Sequence, residues 1–340
     1  MTIDARELET LRECLCALQR HVLVEVLAER ERAGSAGFAG ILEETAADTV
    51  YAPDRVAERA ILEWFANNWP ARWPVEVIME GREGAGAARF PEKAAAGQTV
   101  LKCLIDPIDG TRGFMYDKRP AWILAGIAPD KGADTRLSDV CAAAMTELPV
   151  TRQWRADQVS AARGAGLKAF AFNIREGFHR RTINVRPSAA ADVRHAFGTI
   201  VRFFPAGLTV LAELEERLWA ELYGEPETPS PLVFNDQYIS TGGQLYEIMS
   251  GRDRFIADLR PLAFRKLGTD RHLACHPYDV VTEMLAREAG CVVEQPDGRQ
   301  LDPPLDTVTP VSWVAYANPR LADTIRPALR AAINRTVGET

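Results

Sequence analysis

Cysteine is scarce in this chain: Cys14, Cys16, Cys103, Cys141, Cys275 and Cys291 are spread over 340 residues with no CxxC pair among them. That spacing excludes a disulfide scaffold and predicts reduced thiols that pack as small core residues. Long apolar runs are missing too, none approaching the ~18 residues of a membrane span. The opening MTIDARELETLRECLCALQRHVLVEVL is broken by charge too often to be a signal-peptide core, so a cytoplasmic protein without membrane contact is expected. Positive charge is in deficit, 40 Lys+Arg against 47 Asp+Glu for a net −7, and a field of that sign disfavours nucleic acid while leaving room for a local phosphate site. The glycine loops GREGAG (81–86) and RGAG (163–166) supply neither GxGxxG nor a Walker lysine, which sets nucleotide binding of those types aside.

What is present is the composition of an ordinary folded protein, 47% hydrophobic and 26% charged. Leu8, Leu11, Leu15, Leu18 and Val22 recur at helical spacing, and further helices are expected over 53–68, 208–222, 244–250, 278–289 and 320–334. Strand-like runs fall at 75–79, 99–105, 122–128, 140–145 and 153–156, then at 168–174, 182–185, 199–204, 291–294 and 311–316. Strands and helices alternate in both halves without a 20 to 50 residue repeat, which predicts an α/β chain. The glycine-rich ARGAGLK (162–168) is expected to divide an N-terminal half, 1–163, from a C-terminal half, 164–340. GEPETPSP (224–231) reads as a surface loop, either a lid or a plain insertion.

The most informative stretch is LKCLIDPIDGTRGF (101–114), an apolar strand running into Asp106, Pro107, Ile108, Asp109, Gly110 and Thr111. Two carboxylates brought to 4 Å repel by about 4 kcal/mol at an effective dielectric of 20, so the pair calls for a counter-cation, most naturally a divalent metal. Gly110 and Thr111 open the next turn with free backbone N–H groups, a favourable place for phosphate. A metal beside a phosphate pocket points to phosphoryl chemistry; a plain DPxDG turn is the structural alternative.

The string DPIDGT after an apolar strand resembles the signature of the inositol monophosphatase superfamily of Mg²⁺-dependent, often lithium-sensitive phosphatases. Upstream, DTVYAPD (Asp48 to Asp54) is similar to that family's DxVTxxD segment, with Tyr51 where Thr is usual, and VIME ends on Glu80 with Gly81 where a second acid is frequent. Downstream, HPYDVVTEMLAREAGCVV (276–293) is similar to the WDxAA…EAGG motif, with Asp279 as its acid and Tyr278 for Trp, a variant also found in histidinol-phosphate phosphatases. The four segments keep the family's order and span Asp48 to Gly290.

The resemblance implies an alternating αβαβα sandwich of two sheets and helix layers, two or three Mg²⁺ per site with Mn²⁺ as a substitute, a homodimer, and a small phosphorylated metabolite as partner. It implies that Glu80, Asp106 and the Ile108 carbonyl hold one metal and that Asp106, Asp109 and Asp279 hold another, an all-oxygen set that suits these cations. Glu80 and Thr111 would orient a water for in-line attack, and the Gly110 and Thr111 amides would cradle the phosphate. Asp48 and Asp54 would support this set or bind a third metal, while a helix-capping role for Asp54 is equally economical. STGGQLYEIMSGRDRFIAD (240–258) is similar to the family's substrate-side helix and strand, whose closing acid, here Asp258, hydrogen-bonds a sugar hydroxyl; an exposed strand-end carboxylate is the alternative.

Two stretches depart from the family, about 205–235 and 259–277. The second carries Arg260, Arg265, Lys266, Arg271 and His272, either to meet an anionic substrate group or as a solvated loop. The function expected is hydrolysis of a small polyol or sugar phosphate, with histidinol-phosphate phosphatase, fructose-1,6-bisphosphatase and 3′-phosphoadenosine phosphatase as alternatives and a catalytically silent metabolite-binding member as the non-enzyme one.

Overall fold

Helix α1 (Ala5–Phe38) buries Leu11, Leu15, Leu18 and Val22 along one side, as their spacing predicts. It continues well past Val22, with a break at Gly34. Strands β1 (Ile41–Glu44) and β2 (Thr49–Tyr51) form a short antiparallel ribbon, and α2 (Ala52–Asn68) follows with Pro53 in its first turn. The computed structural model describes residues 3–38, 41–44, 49–82, 86–92, 97–224, 231–269 and 273–338, and the side chains of 35–37, 41–44, 49 and 50 lie outside that description. Asp48, Arg271, His272 and most of the 224–231 loop therefore fall outside the described residues.

The next strands are β3 (Val75–Met79), β4 (Ala88–Phe90) and β5 (Leu101–Asp109), then, after the short helix α3 (Thr111–Met115), β6 (Ala121–Pro129), β7 (Ala142–Leu148), β8 (Arg155–Ala162), β9 (Lys168–Asn173) and β10 (His179–Thr182). They form one eight-stranded sheet in the order β10-β9-β8-β7-β6-β5-β3-β4, with β3 and β5 its parallel pair. The remaining elements are β11 (Ala196–Ile200), α4 (Leu208–Tyr223), β12 (Val233–Phe234), α5 (Thr241–Met249), β13 (Asp253–Asp258), α6 (Arg260–Lys266), α7 (Glu283–Glu288), β14 (Val292–Glu294), β15 (Trp313–Tyr316) and α8 (Pro319–Val337). Their strands form a five-stranded sheet ordered β12-β11-β13-β15-β14.

Three apolar cores separate five layers. The first joins α1 and α2 to one face of the large sheet, the second fills the space between the sheets around α5 and α7, and the third packs α4 and α8 on the far face of the small sheet. Strand β6 shows how the sequence achieves this: Ile123, Ala125 and Ile127 enter the first core while Trp122, Leu124 and Ala128 enter the second. Both faces are covered, so the strand reads as a continuous apolar run rather than an alternation. Gln19 of α1 fixes the outer layer, its Nε2 donating to Ile123 O and Ala144 O at 3.1 and 2.7 Å. This is the αβαβα sandwich expected.

One boundary is corrected. Strands β9 and β10 extend the large sheet beyond the glycine-rich 162–168 segment, so the chain passes to the second sheet between Thr182 and Ala196, not at 163/164. Gly164 and Gly166, with φ of 76° and 71°, make a turn between neighbouring antiparallel strands. Five of the six cysteines are buried and none is bridged. No described helix is long and apolar enough to cross a membrane.

Candidate active site

On a regular strand, residues three apart face opposite sides of the sheet. Asp106 pairs with Leu124 and Asp109 with Trp122, so β5 advances three residues while β6 advances two. Pro107 has no N–H to give the ladder and sits in the resulting bulge. The bulge turns both carboxylates to one side, where Asp106, Asp109 and Asp279 each place a ligand oxygen within 4.8 Å of the others. Asp106 Oδ1 also accepts the Ile108 N–H at 3.0 Å, which closes the turn. Glu80 enters from the neighbouring strand: its N–H donates to Ile105 O at 3.3 Å, and its carboxyl group hydrogen-bonds Asp106.

Asp109 is held by the start of α5. Ser240 Oγ donates to Asp109 Oδ2 at 2.7 Å, and the Thr241 and Gly242 N–H groups donate to its two oxygens at 3.2 and 2.5 Å. Ser240 also caps the helix by accepting from Gly243 N at 2.9 Å. The helix begins three residues before the expected Gln244 because the STGG segment supplies its own cap. These three contacts were not anticipated; the signal was a serine placed where N-caps are favoured.

Asp279 lies before α7 rather than in it. The expected helix over 278–289 shrinks to Glu283–Glu288, because the preceding segment closes i to i+3 bonds, Asp279 N to His276 O at 3.1 Å and Glu283 N to Val280 O at 2.9 Å. The His276 N–H donates to Asp279 Oδ2 at 2.6 Å, and the His276 ring stacks on Tyr278.

Thr111 follows Gly110, whose φ of 94° is open to glycine and whose added Cβ would lie 2.9 Å from Ile239 O. The Thr111 hydroxyl lies 2.7 Å from Ile108 O and 3.0 Å from Asp54 Oδ1. Asp54 Oδ2 accepts the Tyr51 N–H at 2.9 Å, so the same carboxylate caps α2 and reaches Thr111.

Burial and mutual repulsion raise the Asp106 and Asp279 carboxyl groups well above the usual range. Asp109 rises only to about 6, because burial is opposed by the Ser240 hydroxyl, the α5 amides and the Arg260 charge. Buried carboxylates that resist ionisation, with oxygen donors alone, fit a hard divalent cation. Among the described residues no other acid, histidine or cysteine group forms such a cluster.

Residues 7–132 match the model of the inositol monophosphatase family, a stretch that holds Asp54, Glu80, Asp106, Asp109 and Thr111. The fold agrees over nearly the whole chain. The extragenic suppressor protein SuhB from Bartonella henselae superposes with a TM-score of 0.63 at 16% identity, covering 94% of this chain and 98% of the other. Residues 7–132 thus match the inositol monophosphatase family, and the whole chain shares the fold of these structures. Fructose-1,6-bisphosphatase from Leishmania major has a TM-score of 0.65 at 12% identity, with 93% of each chain covered. The IMPase from Thermotoga maritima has a TM-score of 0.58 at 15% identity, covering 94% and 96%. No curated protein sequence matches.

Asp258, expected to hydrogen-bond a sugar hydroxyl with an exposed strand-end carboxylate as the alternative, is not exposed. It is 0% exposed and lies in an ion pair with Arg260, 2.6 Å between Asp258 Oδ2 and Arg260 Nη2. The rest of the basic stretch 259–277 divides: Arg265 is exposed at the end of α6, and Lys266 Nζ donates to Thr336 O on α8. The helix of the other departure, α4, packs in the core on the far face of the small sheet.

Proposed function

We propose that the protein is a divalent-cation-dependent phosphomonoesterase that releases inorganic phosphate from a small polyol or sugar phosphate. The observation that carries this reading is the bulged Asp106-Pro107-Ile108-Asp109 segment, which brings two carboxylates together with Asp279 beside the Thr111 hydroxyl. Glu80, Asp106 and the Ile108 carbonyl would hold one cation, and Asp106, Asp109 and Asp279 another, with Mg²⁺ the natural occupant and Mn²⁺ a substitute. Bound there, the cations supply a lowered water pKa and neutralise charge on the entering and leaving oxygens.

The chain's own residues do the rest. Glu80 and the Thr111 hydroxyl orient the attacking water, and Asp54 and Ile108 O hold that hydroxyl in place. The Gly110 and Thr111 amides receive phosphate oxygens. The serine cap and amides of α5 oppose the effect of burial on Asp109 and fix its orientation. Attack is in line and needs no covalent phosphoenzyme.

The test is phosphate release from inositol 1-phosphate, fructose 1,6-bisphosphate, histidinol phosphate and 3′-phosphoadenosine 5′-phosphate, with Mg²⁺ and after chelation, and repeated with lithium. Chelator-sensitive turnover of one or more supports the reading; no turnover of any with Mg²⁺ or Mn²⁺ refutes it. A homodimer, proposed from the same resemblance, is checked by light scattering after gel filtration.

A further inference from the structure

The loop that leads into α5 is tied to the start of β6 by one side chain, Tyr238. Its hydroxyl donates to Pro120 O at 2.8 Å and accepts the Trp122 Nε1–H at 3.1 Å. Tyr238 and Trp122 are both buried in the core between the sheets. The Tyr238 carbonyl accepts the Ser240 N–H at 2.9 Å, and the Ser240 hydroxyl is the group that donates to Asp109 Oδ2. Trp122 is in turn the partner of Asp109 across β5 and β6. The four residues close a ring: strand pairing joins Asp109 to Trp122, the indole N–H joins Trp122 to Tyr238, the backbone joins Tyr238 to Ser240, and the serine hydroxyl returns to Asp109.

Two features of the surroundings bear on what this ring does. A Cβ added at Gly243 would lie 2.8 Å from Tyr238 Oη and closer still to its ring carbons, so the second glycine of the STGG segment leaves the room in which the phenol lies. Tyr238 and Trp122 also line a cavity of about 480 Å³, together with Tyr246 and Trp154. With open space on that side, packing alone does not hold the phenol, and its two hydrogen bonds set its place. A second tie, from Arg119 Nη2 to the two Asp236 oxygens at 2.6 and 2.8 Å, is exposed to solvent and holds the loop less firmly.

We infer that Tyr238 is a positioning residue of the cation site: it fixes Ser240 against β6 and so aims the serine hydroxyl, and through it the Asp109 carboxylate. The inference rests on the divalent-cation reading of Asp106, Asp109 and Asp279 and adds a residue that acts only through Ser240. A carboxylate ligand is oriented by the hydrogen bonds its oxygens accept, and loss of such a partner costs about tenfold to a hundredfold in metal affinity.

The experiment is a double-variant cycle, read by calorimetric titration of Mn²⁺ into the folded, cation-free protein, with thermal unfolding in EDTA alongside. Ser240→Ala should weaken Mn²⁺ binding about tenfold to a hundredfold. Tyr238→Phe keeps the ring, removes only the hydroxyl, and should weaken binding about threefold to tenfold, being one step further from the cation. In the Ser240→Ala background the same change should alter Mn²⁺ affinity by less than about twofold, because the route it acts through is already cut. A merely structural tyrosine would lower the unfolding temperature in both backgrounds and leave the Mn²⁺ dissociation constant unchanged. Gly243→Ala supplies a second variant that pushes the phenol toward the cavity, and it should weaken Mn²⁺ binding in the same direction. Mn²⁺ affinity that stays at the wild-type value in Tyr238→Phe, or in Gly243→Ala should Tyr238→Phe not fold, overturns the inference, as does a loss of equal size in the two serine backgrounds. A wild type that takes up no Mn²⁺, or an Asp106→Asn variant that binds it as tightly as wild type, instead refutes the cation reading, and the inference falls with it.

Discussion

Replacing Asp106 with Asn removes one of three charges whose oxygens lie within 4.8 Å of one another. At that spacing and an effective dielectric of about 20, each ionised pair repels by roughly 3.5 kcal/mol. Because burial and mutual repulsion push Asp106 and Asp279 well above the usual range, full ionisation of the cation-free cluster is already disfavoured and the relief is only a fraction of this, about 1–2 kcal/mol. Asp106→Asn keeps an oxygen for the Ile108 N–H and can still hydrogen-bond Glu80, so no buried partner is stranded. The variant should therefore unfold a few degrees higher than wild type in EDTA. With Mg²⁺ the order reverses. At a concentration 100 times the dissociation constant, the wild type gains about 2.7 kcal/mol, whereas a variant that binds a hundredfold more weakly gains about 0.4 kcal/mol. Thermal unfolding with and without Mg²⁺, alongside phosphate release, measures both effects. A variant that melts well below wild type in EDTA yet keeps the full Mg²⁺ shift and full activity would refute the assignment of Asp106 as a shared ligand.

The same geometry carries three further expectations. Gly242→Ala places a Cβ 2.4 Å from Leu124 Cδ2 and 3.0 Å from Asp109 Oδ2; it should cost about 1–3 kcal/mol of stability and weaken Mn²⁺ binding in calorimetry, and unchanged binding would show that the α5 amides do not position Asp109. Thr111→Ala should lower kcat by about 10²–10⁴ while Thr111→Ser stays within about tenfold, and equal losses in steady-state kinetics would remove the hydroxyl from the mechanism. Glu147, buried on β7, is raised by desolvation from 4.5 to about 7. A raised folded-state value means that its stability contribution is complete below about pH 4.5 and is lost as pH climbs through 7, on the order of 3 kcal/mol in all. Glu147→Gln should flatten the fall in melting temperature between pH 5 and 8, and an unaltered slope would exclude Glu147 as its source.

Much of the site was legible because its acids stand in one strand-end string, and the helices and strands around it follow apolar spacing that burial then explains. What the sequence concealed is physical in origin. Asp106 and Asp109 have the spacing of residues on opposite faces, and only the bulge at Pro107 reconciles them. The Ser240 cap and its amides come from a residue 131 positions away from Asp109, a pairing that local pattern does not encode. The sheet boundary was misplaced at 162–168 because glycines mark a tight turn within a sheet as readily as a passage between sheets. Asp258 carried a family-like position, but its partner Arg260 stood in the stretch that departs from the family, and sequence spacing alone did not show that the two side chains pair.

In the proposed function, Asp106, Asp109 and Asp279 bind divalent cations that serve phosphate-ester hydrolysis. Anomalous diffraction from Mn²⁺-soaked crystals tests it most directly. Peaks are expected roughly 2.0–2.3 Å from oxygens of these three carboxylates, lost in Asp106→Asn; well-diffracting soaked crystals with no peak there, or with Mn²⁺ bound only elsewhere, would refute cation binding by this cluster.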